Sequence, residues 1–237
     1  MTAARRRAFL YLTVGALALA GMALALSHRE ARPPIKRPTL LLLTSLPLVF
    51  GEDFSIQGGG SQALDALRTR FRVVPISVTD PAELAKGRLL MMAQPLAEPP
   101  EDLVALDDWV RAGGRVLLFA DPMLEWPSQR PLGDALRPPA MFMDTGLLAH
   151  WGLRLDSPVE HGPRPATLGG QPVLTVSPGS LSGSCEIASD RLVAHCRIGK
   201  GRATVVADAD LLGPEHLGDA ASRNLDGVLA ELAALAR

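Results

Sequence analysis

PPEDLVALDDWVRAGGRVLLFADP, residues 99–122, holds a helix, its stop signal and a buried strand in one continuous run. Pro99 and Pro100 suit a first helical turn, which needs no backbone N–H there, and Glu101 and Asp102 favour the positive end of the helix dipole. Leu103, Leu106, Trp109 and Val110 recur at helical spacing on one face. Gly113-Gly114 then ends the helix. The next residues, RVLLFADP (115–122), are apolar without alternation, the mark of a strand buried on both faces.

Working outward, the same strand signature recurs in TLLLLTS (39–45), FRVVPIS (71–77), RLLMMAQ (88–94) and GRATVVADADLLG (201–213). SQALDALRTRF (61–71) predicts a helix with Ser61 as its N-cap. Residues 221–237 predict a closing amphipathic helix with Leu225, Val228, Leu229, Leu232 and Leu235 on one side. Strands alternating with helices imply an α/β fold with a mostly parallel sheet flanked by helices. Between the helical units, Met123–Pro139 is proline-rich and predicts a long loop, and 143–156 predicts a short helix running to Gly152. QPVLTVSPG (171–179) and a hairpin around Ser189-Asp190 supply a β-rich insertion. The expected organisation is an N-terminal anchor or signal over 1–27, a Pro-rich spacer over 28–38 and one α/β domain over 39–237.

The net charge of −1 conceals two opposed halves. Residues 1–37 carry seven Lys or Arg and one Glu, whereas 38–237 carry 17 basic and 24 acidic side chains. An acidic body argues against nucleic acid as a partner, since that binding needs clustered cations against phosphates. Arg5, Arg6 and Arg7 precede an uncharged run over residues 8–26, close to the ~20 residues that a bilayer-spanning helix needs. The run fits an uncleaved transmembrane anchor, or a signal peptide cut after Ala23-Leu24-Ala25 or Ala25-Leu26-Ser27. Either places the body outside the cytoplasm, in the periplasm or beyond, and an anchor would make the protein single-pass in the cytoplasmic membrane. Cys185 and Cys196 flank the predicted hairpin, so they form either a cross-strand disulfide suited to an exported domain or two buried free thiols.

Gly58-Gly59-Gly60 invites comparison with phosphate-binding loops, but no Lys-Ser/Thr comes after it and the spacing of a dinucleotide fingerprint is absent. No cofactor is therefore expected. The five histidines are scattered without metal-ligand spacing. The acids are better placed: Glu52 and Asp53 come after the first strand, Asp121 after RVLLFA, and Asp208 and Asp210 after RATVV. Ligands of parallel α/β sheets bind at the strands' carboxyl ends, so these five could line one edge and take a hard cation. Their alternative role is turn chemistry, since Asp-Pro and Asp-x-Asp commonly leave a strand and cap the next turn or helix.

Four stretches carry a resemblance: LDDWVRAGGRVLLFADPML (106–124), LLAHWGLRLDSPV (147–159), CRIGKGRATVVADADLL (196–212) and NLDGVLAELA (224–233). They resemble the auxiliary components of bacterial ABC-type transport systems, of the gliding-motility type, whose domain is similar to class I glutamine amidotransferases and flavodoxin-like folds. The resemblance implies a membrane-tethered, non-catalytic extracytoplasmic domain whose partners are ABC permease or ATPase subunits. The chain departs from longer members in showing no second, C-terminal anchor. The readings from a different class are a metal-dependent hydrolase on the same scaffold, using the acidic edge, and a structural envelope protein.

Overall fold

The computed structural model of the chain describes residues 37–51 and 60–237. The apolar run 8–26, the spacer as far as Lys36, and Glu52 and Asp53 lie outside the described residues. Among the described residues no helix is long and apolar enough to cross a membrane.

The apolar runs become the strands β1 (Thr39–Thr44), β2 (Arg72–Pro75), β3 (Leu89–Ala93) and β4 (Arg115–Phe119). Between them stand the helices α1 (Gln62–Arg70), α2 (Pro81–Leu84) and α3 (Pro100–Arg111). Ser61 caps α1 as its sequence predicts: its hydroxyl accepts from Leu64 N at 3.2 Å and donates to Leu48 O at 3.1 Å. The insertion holds a single helical turn, α4 (Leu147–His150), and the strands β5 (Leu153–Asp156), β6 (Pro163–Leu168), β7 (Gln171–Val176), β8 (Ser180–Gly183) and β9 (Glu186–Ile187). From β9 the chain is back in the main sheet; it continues through β10 (Val193–Ile198) and β11 (Gly201–Val206) and ends in α5 (Pro214–Leu217) and α6 (Asn224–Leu235). The helix expected to run as far as Gly152 is thus one turn long. Gly146 and Gly152 both take positive φ, at 102° and 77°, and bound it on either side.

The main sheet has the order β2-β1-β3-β4-β11-β10-β9. Its first five strands run parallel, and β10 and β9 add an antiparallel edge. Two separate two-stranded ribbons, β5–β8 and β6–β7, make up the rest of the insertion. The inner strands are buried along nearly their whole length, as continuous apolar runs in a helix-covered sheet should be. The edge strand β2 is half-exposed and ends in Pro75, which blunts further pairing. Each fully buried leucine of this sheet contributes about 1.5–3 kcal/mol of transfer free energy.

The glycine motifs of the sequence are the joint between α3 and the β10–β11 turn. Lys200 N donates to Arg111 O at 2.9 Å and Arg202 N to Gly114 O at 3.2 Å. A Cβ on Gly201 would run into the carbonyl oxygens of Val110 and Gly114, and one on Gly114 into the ring of Trp109. Backbone packs on backbone here, so G-G and G-K-G serve the fold. Across the same helix Asp107 accepts from Trp151 Nε1 at 2.9 Å and Arg111 Nε at 2.6 Å, pinning α4 to α3, with His150 Nε2 3.2 Å away. Burial pulls the Asp107 carboxyl up, but the bonds from Arg111, Trp151 and His150 outweigh it and hold the group below the usual carboxylate range.

Candidate functional site

In this strand order the chain turns back between β1 and β3, the switch point where doubly wound sheets open a crevice at their carboxyl ends. Here Gln94 closes it. This residue stands directly after β3, is fully buried and has φ of 46°, a conformation that costs a residue with a side chain about 1–3 kcal/mol. Its bonds hold it there. Nε2 donates to Asp121 O at 3.1 Å and to Pro139 O at 3.2 Å, Oε1 accepts from Asp121 N at 2.9 Å, and the Ser45 hydroxyl donates to its carbonyl oxygen. A strained position at a strand end is where a nucleophile would stand; in this chain a fully bonded amide occupies it.

The structure brings three of the five candidate acids together, Asp121 beyond β4 and Asp208 and Asp210 beyond β11. Asp121 accepts from Met123 N and Ala209 N, each at 2.8 Å. Asp208 accepts from Val176 N at 2.7 Å and Leu211 N at 2.8 Å. Asp210 accepts from Glu125 N at 2.9 Å. These bonds tie the end of β4, the loop after it, β7 and the end of β11 into one knot. Burial, against these hydrogen bonds, pushes Asp121 up to about 6 and Asp210 up to about 7. Asp208, wholly buried and beside Asp121, lies well above the ordinary value. Among the described residues no three His, Cys, Asp or Glu side chains are arranged to hold a metal ion.

Around this knot the loops at the same edge present apolar side chains. Phe50 lies beyond β1, Leu96 beyond β3, and Leu132, Leu136, Met141 and Met143 beyond β4; all are exposed, Leu132 by 86%. Phe50 and Leu136 line a common cavity of about 250 Å³ with Thr44, Ser45, Ile76 and Ser77.

A second concavity, which sequence reasoning did not single out, lies against the antiparallel edge. Strands β9, β10 and β11 form its floor and α6 one wall, and the turn of the β6–β7 hairpin closes it to a cavity of about 800 Å³. His195 Nε2 stands 2.7 Å from Glu231 Oε1 in it, and Thr204 Oγ1 donates to the same oxygen at 3.3 Å. The bond to Glu231 raises the His195 pKa against partial burial. Cys185 and Cys196 are joined by a disulfide with Cα atoms 4.8 Å apart, across the register that sets Glu186 opposite His195. The signal that could have found this site was a glutamate on the buried face of the last helix, where an uncompensated charge is costly.

The arrangement is an α/β sheet of doubly wound type with an antiparallel edge. Among solved structures, the exo-β-1,4-mannosidase Op5Man5 from Opitutaceae bacterium strain TAV5 superposes with a TM-score of 0.52 at 12% identity, over 91% of this chain and 38% of its own. A β-galactosidase from Bacillus circulans sp. alkalophilus gives a TM-score of 0.47 at 14% identity, over 84% of this chain and 31% of its own. At such identities the likeness to the mannosidase concerns the fold alone, and this chain spans under two fifths of that protein's length. No curated protein matches. The family described as "ABC-type uncharacterized transport system" matches residues 37–160, and the chain belongs to this auxiliary family of ABC-type transport systems.

Proposed function

We propose that this protein is a membrane-anchored, non-catalytic auxiliary subunit whose amidotransferase-like body lies outside the cytoplasm and docks on the permease of an ABC-type transport system. The family supplies the coarser half of this reading, an auxiliary component of such a system. The observation that carries the finer half is the crown of exposed apolar side chains, from Phe50 to Met143, on loops that leave one edge of the sheet. Phe50 and Leu136 share one surface hollow, and apolar exposure gathered in this way favours a protein partner over a small polar ligand. Two features support a non-catalytic role at that edge: Gln94 fills the strained strand end, and Asp121, Asp208 and Asp210 are bonded to backbone. The disulfide supports an oxidising compartment, and the run 8–26 has the length of an anchor. Purification of the tagged full-length protein from native membranes in mild detergent tests this. Recovery of a permease, with its ATPase carried along and residues 1–26 intact in the mass spectrum, is expected. Recovery of a free protein that begins near His28 would overturn it.

A further inference from the structure

The groove beneath α6 contains an arrangement that neither the fold nor the family reading explains. Arg115 on β4, Arg202 on β11 and Arg197 on β10 stand in register in one rank across three adjacent strands. Residues in register point to the same face of a sheet, so three guanidinium groups share one side. The first is accounted for: Arg115 Nη1 donates to Ala236 O at 2.6 Å and its Nη2 to Arg237 O at 3.1 Å, at the negative end of α6. The other two are not. Arg197 and Arg202 lie directly opposite each other, and neither guanidinium has a hydrogen bond or ion pair among the described residues. Like charges directly opposite across two strands destabilise the pairing. The acids of the same groove leave the pair uncompensated, since Glu231 is engaged by His195 and Thr204, and Glu186 and Asp190 make no ion pair with either arginine.

Both side chains are exposed to water, but inside a concavity and not on a flat surface. These two line a cavity of about 800 Å³, walled by the Ala230–Leu235 stretch of α6. That volume falls in the range of small-molecule sites. A guanidinium fork matches the two oxygens of a carboxylate or phosphate, and two forks projecting side by side from adjacent strands can share one such group.

We infer that the groove beneath α6 is a binding site for a small soluble organic anion, whose carboxylate or phosphate group is gripped between Arg197 and Arg202. The body of the ligand would lie along the strands toward His195, beside Val193 and Ala234. His195, held by Glu231, presents one further polar group in the ligand's path. The site is separate from the apolar crown at the carboxyl edge, so an anion and a protein partner could be held together.

The test uses the full-length protein in detergent and tracks its unfolding while inorganic phosphate or succinate is added, with sodium chloride of equal ionic strength as the control. Saturable stabilisation by at least one of the two anions beyond that of chloride is expected. In Arg197→Ala and Arg202→Ala the apparent affinity should fall by about tenfold or more, while without added anion each variant melts at or above the parent temperature. Arg202→Lys, which keeps the charge and loses the fork, should also bind more weakly. Stabilisation no greater than that of chloride would overturn the inference, and so would undiminished affinity in both alanine variants.

Discussion

At the carboxyl edge of the sheet, Asp121, Asp208 and Asp210 direct their oxygens onto backbone N–H groups of neighbouring segments, whereas in the groove beneath α6 Arg197 and Arg202 stand side by side with no partner among the described residues. Both regions gather like charges at the ends or on one face of the same strands. In the first, burial and donated hydrogen bonds make the charges part of the scaffold, and protonation relieves their mutual repulsion. In the second, the exposed guanidinium groups have no protein partner among the described residues, and an anion held between them would relieve their repulsion. An acidic cluster at the expected place in an α/β fold is therefore weaker evidence for a ligand than a basic pair in an unexpected one.

The sharpest way to break this contrast is at Asp208. Replacing it by Ala leaves the N–H groups of Val176 and Leu211 buried without acceptors, at about 1–3 kcal/mol each. Asp208→Ala should thus lose roughly 4 kcal/mol in chemical denaturation. Asp208→Asn, whose single carbonyl oxygen can accept from only one of these N–H groups while its NH2 meets the other donor to donor, should lose a comparable amount. Divalent-cation binding should be the same in both variants as in the parent.

On the groove side the largest effect should come from the disulfide. Cys185 and Cys196 are 11 residues apart in sequence, and closing a loop of this size is worth about 3 kcal/mol of chain entropy. Reduction should lower the melting temperature accordingly, as read by scanning calorimetry with and without a reductant. A smaller loss is expected at Gly169, whose φ is 57° and whose added Cβ would lie 2.6 Å from Gly227 O and 2.8 Å from Ala230 Cβ. Gly169→Ala should cost about 1–2 kcal/mol through the left-handed backbone, plus whatever it takes to lift the β6–β7 turn from α6.

The pH dependence separates the regions more gently. Asp121 at about 6 and Asp210 at about 7 have folded-state values above the ordinary 3.8, so the folded state binds more protons than the unfolded chain between those limits. Their stabilising contribution is complete below about pH 4 and is lost as pH rises through 6 and 7. Asp208 and His195, also raised, act in the same sense. Asp107, which is lowered, opposes them only where pH falls below its ordinary value. Stability by urea titration should therefore decline from pH 4 to pH 7, with a slope limited to about 1.4 kcal/mol per pH unit for each proton. Asp210→Asn should flatten it.

Much of the scaffold could be read before the structure, because its signals are local. The runs TLLLLT, LLMMA and RVLLF carry burial on both faces in their composition, Ser61 caps within three residues of itself, and Gly113-Gly114 stops α3 where the sequence places the stop. The single turn of α4 was harder, since its ends are set by the backbone of Gly146 and Gly152 and its place by Asp107, 44 residues before Trp151. The acids were visible at their strand ends, but their use was not: Asp121 bonds Ala209 and Asp208 bonds Val176 across 88 and 32 residues. The groove was illegible for the same reason. It exists only once the last helix, the edge strands and the β6–β7 turn have met, and His195 and Glu231 are 36 residues apart.

The claim on which the functional reading rests is that the apolar crown at the carboxyl edge faces a protein partner. Site-specific photo-crosslinking in native membranes tests it directly, with a photoreactive residue at Leu132 in the crown or at Val104 on the outer face of α3, both well exposed. The account predicts an adduct between position 132 and a subunit of the transport system, and none from position 104. No adduct from position 132, or the same adduct from both, would contradict it.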